Sequence, residues 1–122
     1  MKPFHPLRQT LAMAALLLAS RTSRPVFCTM GEQGILVTQP EQSPVLVPGV
    51  PVNGPVDIVG AGDAATSGIV TSLLAGATPL EAAAVGNLVA SITVQQLGST
   101  GTASPEKIRQ RWHEAKAISP LR

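Results

Sequence analysis

A layered α/β arrangement follows from three features of this 122-residue chain. Short β-rich apolar runs come first, helix-compatible runs with capping signals come after them, and glycine turns stand at the junctions. The length suits one domain with one hydrophobic core, and a second complete domain would not fit. Hydrophobic residues make up 44% and charged residues 13%, too apolar and too weakly charged for intrinsic disorder. Two Phe and one Trp offer no platform for stacking bases, which speaks against a nucleic-acid partner. Nine basic and seven acidic side chains leave a net charge of +2, a weak statement about partners. The single cysteine, Cys28, has no internal disulfide partner and reads as a small buried hydrophobe within Val26-Phe27-Cys28.

At the N-terminus, Lys2 and Arg8 precede an apolar run over 11–20 that is too short to span a bilayer. A charged start before a short apolar segment resembles a secretory signal. The favoured reading is a helix over 1–24 that docks on a sheet and ends in the polar run 21–24 and Pro25. Val26 to Met30 and Ile35 to Thr38 are strands, and Gly31-Glu32-Gln33-Gly34 is the tight turn joining them. Residues 39–55 carry Pro40, Pro44, Pro48, Pro51 and Pro55, so they form edge strands or extended connections at best.

Helical grammar starts at Asp63. Ala64 to Ala75 is a small-residue helix stopped by Gly76. Thr78-Pro79-Leu80-Glu81 combines an N-cap, Pro at the first helical position and Glu at the third, a capping box, and the helix it opens is expected to reach about Gln96 and end at Gly98. Ser104-Pro105-Glu106 opens a last helix whose Lys107, Arg109, Arg111, His113 and Glu114 are expected to face water, with Trp112 packing against its neighbours.

The junction Val56-Asp57-Ile58-Val59-Gly60-Ala61-Gly62-Asp63 carries the chemistry. Small residues at 60–62 let the backbone turn sharply and expose N–H groups, a carboxylate stands at the exit, and a helix follows. The first N–H groups of a helix lack internal partners and lie at the positive end of its dipole, so the turn is an anion site, expected at the carboxyl end of a strand. An acid beside a phosphate cradle suggests phosphoryl transfer.

Asp57-Ile58-Val59-Gly60-Ala61-Gly62-Asp63 resembles the C-terminal signature of the ribokinase/PfkB carbohydrate kinases, D-T-x-G-A-G-D. Thr29-Met30-Gly31-Glu32-Gln33-Gly34 is similar to the family's T-x-G-x-x-G nucleotide loop, Asn87 to the residue beside the adenine, and 97–102 to the segment closing the nucleotide and cation pocket. These stand in the family's order over roughly 24–117. The resemblance implies a ribokinase-like, Rossmann-like layered fold, of which this chain is an incomplete C-terminal portion (25–122), and ATP with Mg²⁺ as cofactors. It makes Asp63 the base toward a sugar hydroxyl and the backbone of Gly60, Ala61 and Gly62 the anion hole. Thr29, Gly31, Gly34 and Asn87 would line the nucleotide, and Asp57, Val59, Thr93, Gln96, Gly98 and Thr102 would hold a monovalent cation such as K⁺, largely through backbone carbonyls.

Ile58 stands where the family has Thr and Ala65 where it has Phe. The family's N-terminal sugar-binding part, lid and N-x-x-E motif are not visible in these residues. The chain would then carry the end of a donor site and a base without most of the acceptor site. The expected reading is the C-terminal portion of a cytoplasmic carbohydrate kinase, inactive in isolation, acting with a separate N-terminal half or associating with itself. A non-catalytic nucleotide- or phosphate-binding module is the alternative, and a secreted structural protein cleaved near residue 20 a third. Asp57 could instead cap a turn; His5 and His113 read as solvated histidines, and Glu32 as an exposed turn residue.

Overall fold

The run Gly34-Ile35-Leu36-Val37-Thr38 is buried at every position, the pattern of a strand covered on both faces. It is the middle strand, β2, of a three-stranded sheet ordered β1-β2-β3 in a computed structural model that describes residues 6–98 and 101–118. β1 (Val26–Thr29) and β3 (Val45–Pro48) both pair with it antiparallel, in registers that set Phe27 opposite Val37 and Val47 opposite Ile35. The Gly31–Gln33 link is one turn of 3-10 helix, which brings β2 back beside β1. β3, bounded by prolines, lies at an edge because proline cannot donate to a second neighbour.

Alternation along β2 sorts its side chains into two layers. Ile35 and Val37 point into a core shared with Ala65, Ile69, Ala82 and Ala83, against which Phe27, Val47, Leu73 and Ala90 pack. Leu36 and Thr38, of opposite parity, face the other way. There α1 (Pro6–Thr22), which packs on β1 and β2, buries a stripe of Ala12, Ala15 and Ala19. The stripe repeats at three and four residues, so one side of α1 lies against the sheet while Met13, Leu17 and Leu18 remain exposed. Arg24 N–H returns to the Ala19 carbonyl at 3.3 Å and ends the helix. No helix among the described residues is long and apolar enough to cross a membrane.

α2 (Ala61–Leu74) and α3 (Pro79–Thr93) cover the other face. They approach closely because glycines meet at the crossing: a Cβ on Gly86 would stand 2.9 Å from Ile69 Cγ1 and 3.0 Å from the Ala65 carbonyl oxygen. α2 ends in a paired cap, with Gly76 N–H donating to the Leu73 carbonyl and Ala77 N–H to the Ser72 carbonyl. α3 begins with the expected capping box, Thr78 N–H donating to Glu81 Oε1 at 2.9 Å and Glu81 N–H to Thr78 Oγ1 at 3.2 Å. α4 (Pro105–Ile118) follows, with Lys107 N–H donating to Ser104 Oγ at 3.2 Å.

Three details depart from the sequence reading. α2 starts at Ala61 rather than Ala64, so Asp63 sits inside its first turn. α3 stops at Thr93 rather than near Gln96. Beyond it Gln95 and Gln96 N–H groups bond three residues back, to Ile92 and Thr93, and the Val94 carbonyl is taken by Asp57 N–H at 2.7 Å. Residues 49–60 form no strand, so the Gly60 turn does not lie at a strand's carboxyl end. Prolines at 51 and 55 remove donors there, and the segment is fixed by the Asp57 bond instead.

Candidate functional site

Gly60 turns left-handed, with φ of 82°, and becomes the N-cap of α2. A side chain is strained in that conformation, and glycine adopts it freely. The Ala64 N–H then closes the first helical bond on the Gly60 carbonyl at 3.0 Å. Ala61 N–H, expected to face an anion, donates to the Ile58 carbonyl at 3.1 Å. The N–H groups of Gly60, Gly62 and Asp63 make no hydrogen bond to another described residue. Gly62 and Asp63 are exposed, and a Cβ on Gly62 would meet nothing within 4 Å, so this helix start is open. A carboxylate in the first turn also suits the positive end of the dipole.

Asp57 fixes the turn from below. Its Oδ1 accepts Val59 N–H at 3.0 Å and its Oδ2 accepts Gly98 N–H at 3.2 Å, while its own N–H goes to Val94. The approach to α2 is thus tied to the exit of α3. The Gln96 side chain pairs with Thr102 in both directions, Thr102 N–H donating to Oε1 at 2.9 Å and Nε2 donating to the Thr102 carbonyl. Gly101 lies directly on Thr93, where a Cβ would come within 2.8 Å of the Thr93 carbonyl oxygen. The structure therefore gathers Asp57, Val59, Thr93, Gln96, Gly98 and Thr102 into one loop cluster. Among the described residues, no group of three or more His, Cys, Asp or Glu comes together as a metal site.

The other expected nucleotide residues lie at the β1–β2 connection and on α3. Thr29 is exposed at the end of β1 and Gly31 turns with φ of 60°. Gly34 is demanded by contact, since a Cβ there would stand 2.1 Å from the Val47 carbonyl oxygen. Asn87 is buried, and its Nδ2 donates to the carbonyls of Val47 and Pro48, both at 3.0 Å. Its amide donors thus hold β3 against α3.

Sequence reasoning missed the part played by Arg111, which it set on a wet helix face. The guanidinium donates to the Ser91 carbonyl at 3.2 Å, to Ser91 Oγ at 3.1 Å and to Gln95 Oε1, and pairs with Glu114 at 3.3 Å, which latches α4 onto α3. A cleft of about 270 Å³ opens beside it, lined by Ile92, Gln96, Lys107 and Gln110 among others. The only local signal was the position of Arg111 on the same α4 face as Ile108 and Ala115, three residues before it and four after it, where the sequence is apolar. Lys107, Arg109, His113 and Glu32 are exposed as expected, Cys28 is half-buried, and Trp112 is half-buried with Lys116 Nζ 5.7 Å from its ring centre. His5 lies outside the described residues.

Helices lie on both faces of the sheet, and a glycine-capped helix start presents open amides and an acid, a partial layered α/β fold. Ribokinases share it: that of Thermotoga maritima superposes with a TM-score of 0.76 at 24% identity, over 84% of this chain and 34% of that one. The ribokinase of Cryptococcus neoformans in complex with ADP gives 0.75 at 23% identity, over 90% and 37%. The pfkB family carbohydrate kinase model matches residues 4–107, and the chain belongs to that family. Among its relatives, the bifunctional protein HldE of Nitrosococcus oceani is 36% identical over 107 residues and that of Stutzerimonas stutzeri 33% over 98. The chain spans about a fifth of the length of these relatives, 20% of each, and is an incomplete version of the fold.

Proposed function

We propose that this chain is the nucleotide-binding C-terminal portion of a kinase that transfers the γ-phosphoryl group of ATP to a sugar hydroxyl. The observation that carries the reading is the open start of α2, where the N–H groups of Gly60, Gly62 and Asp63 are unpartnered among the described residues and the Asp63 carboxylate is exposed beside them. Oriented amides at a helix N-terminus stabilise charge developing on a transferred phosphoryl group. Asp63 would orient the acceptor hydroxyl and take its proton late, once attack has made it acidic. The Ala61 amide, bonded to Ile58, contributes less than the sequence reading gave it. Thr29, Gly31 and Gly34 would border the nucleotide, with Asn87 beneath its base. Magnesium, implied by the family, would arrive on the phosphates and neutralise their charge. That the ribokinase of Cryptococcus neoformans was solved with ADP supports nucleotide binding by this fold.

The isolated chain is expected to bind nucleotide without turning over, since it matches about a third of the ribokinase chains, 34% and 37%. The shortfall also supports the alternative of a non-catalytic nucleotide-binding module. Titration of a non-hydrolysable ATP analogue into the chain, followed by amide resonances of Gly60 to Asp63, tests the binding: those amides should shift first, and their silence would refute it. Asp63→Asn separates the two readings. Any sugar-dependent ADP release by an assembled enzyme should fall by about two to four orders of magnitude with nucleotide affinity kept, whereas a pure binder has no rate to lose. Sugar-dependent ADP release by the 122 residues alone would refute their inactivity.

A further inference from the structure

We propose that Gln33 is a positioning residue for the nucleotide: tied through its side chain to Arg8 of α1 and through its carbonyl to Gly49 beyond β3, it holds the β1–β2 connection in shape before a ligand arrives. The tie stands by itself, and its consequence for the nucleotide rests on the function proposed above.

The connection needs support from outside itself. Gly31–Gln33 is a single 3-10 turn with no buried residue, and Gly31 lies in the left-handed region, with φ of 60°. Within the turn, Gln33 N–H donates to the Met30 carbonyl at 3.2 Å and Gly34 N–H to the Gly31 carbonyl. An exposed glycine turn with few packed contacts opens readily, and a ligand that must order such a loop loses affinity in doing so.

Support comes from two sides. The Arg8 guanidinium, 25 positions upstream in the first turn of α1, donates to Gln33 Oε1. The dipole of α1 disfavours a cation at that end, so the helix gives Arg8 no reason to stand there, and the acceptor on Gln33 does. A guanidinium can only donate, which turns Oε1 toward it and fixes the Gln33 amide. On the other side, Gly49 N–H donates to the Gln33 carbonyl at 3.2 Å. A Cβ on Gly49 would stand 2.4 Å from the Glu32 carbonyl oxygen, so glycine is what lets the segment after β3 close on the turn. Asn87 holds the Val47 and Pro48 carbonyls just before it. Gln33 is thus where α1 and, by way of β3, α3 both reach the loop, while Thr29 and Gly31 stay exposed.

The test titrates a non-hydrolysable ATP analogue into the full chain, Arg8→Ala, Gln33→Ala, the double variant and Arg8→Lys. Thermal unfolding and amide exchange of Gln33, Gly34 and Gly49 are measured without ligand. Either alanine change should weaken binding about threefold to tenfold while the melting temperature stays within about 3 °C, because the bond is exposed. The double variant should lose no more than Gln33→Ala alone, since the two residues act through one bond. Arg8→Lys keeps a donor and should bind more tightly than Arg8→Ala, and exchange of the three amides should quicken in both alanine variants. Unchanged affinity in either alanine variant would overturn the proposal. So would losses that multiply in the double variant, which would mean that each residue acts alone. A fall of about 8 °C in melting temperature, or outright unfolding, would also overturn it by making the tie a support of the fold rather than of the loop. If the parent binds no analogue, the proposed function fails and amide exchange decides the tie: quickened in the alanine variants it stands, unchanged it falls.

Discussion

The Asn87 side chain donates from one nitrogen to two successive carbonyls of β3, Val47 and Pro48, each at 3.0 Å. It does so from the middle of α3, about forty positions away along the chain. β3 has β2 as its only strand partner among the described residues, and this amide adds a second tie, to α3.

Asn87→Ala should therefore cost about 1–2 kcal/mol in urea unfolding, because it removes the two hydrogen bonds that tie β3 to α3. Asn87→Asp should be at least as costly, since a carboxylate offers those carbonyls no N–H. Amide exchange should quicken over Val45 to Pro48 while α2 keeps its protection. Equal stability of the alanine variant would show that the two bonds contribute nothing net.

Two glycines in the helical layer should respond in opposite directions to the same added methyl. At Gly86 a Cβ would fall 2.9 Å from Ile69 Cγ1, 3.0 Å from the Ala65 carbonyl oxygen and 3.3 Å from Ile35 Cδ1, so Gly86→Ala should destabilise by about 1–3 kcal/mol. At Gly62 it would meet nothing within 4 Å, and a helical residue gains about 0.5–1 kcal/mol on changing from Gly to Ala. Gly62→Ala should thus raise the melting temperature and still weaken binding of a non-hydrolysable ATP analogue by crowding the amides. Thermal unfolding with and without that analogue reads both effects, and a stabilised Gly62→Ala chain with unchanged affinity would argue against phosphate contact there.

Local chemistry was legible and distant chemistry was not. Thr78, Pro79 and Glu81 interact within one turn, so their spacing alone announced the start of α3. The end of α3 was misjudged because Asp57, far upstream, captures the Val94 carbonyl. The start of α2 was set too late because small residues at 61 and 62 suit a turn and a helix equally, and the left-handed Gly60 decides between them. Of the candidate site, the open turn and the gathering of Asp57, Gln96, Gly98 and Thr102 followed the motif order. The reciprocal pairing of Gln96 with Thr102 and the latch of Arg111 on Ser91 depend on how helices dock, and no periodicity encodes that.

The capping box makes stability pH-dependent in a fixed direction. The Thr78 backbone hydrogen bond, and then its side-chain bond, hold the Glu81 carboxyl below its ordinary value of 4.5. A depressed folded-state value means that the unfolded chain binds the proton more readily, so the contribution is full above 4.5 and is lost as pH falls through the lower folded-state value. Stability between neutral and acid pH should decline less steeply in Glu81→Gln than in the parent. Thr78→Ala removes the other half of the box and should cost about 1 kcal/mol at neutral pH. Parallel pH profiles for parent and Glu81→Gln would show that the pairing does not survive in solution.

Thr38 closes β2 with its hydroxyl in the wrong place for stability. The residue is fully buried, 0% exposed, and Oγ1 has no hydrogen-bond partner among the described residues. By strand parity it lies on the α1 side with Leu36, opposite the aliphatic core of Ile35 and Val37. Desolvating a hydroxyl without a partner costs about 1–3 kcal/mol, and valine has nearly the same shape, favours strands and has nothing to desolvate. Thr38→Val should therefore raise the urea midpoint without changing the slope of the transition, by about 1 kcal/mol of stability. Thr38→Ser keeps the hydroxyl, gives up a buried methyl and should be less stable than the parent. A destabilised valine variant would mean that the hydroxyl has a partner in solution, and the α1 layer is where that partner would have to be sought.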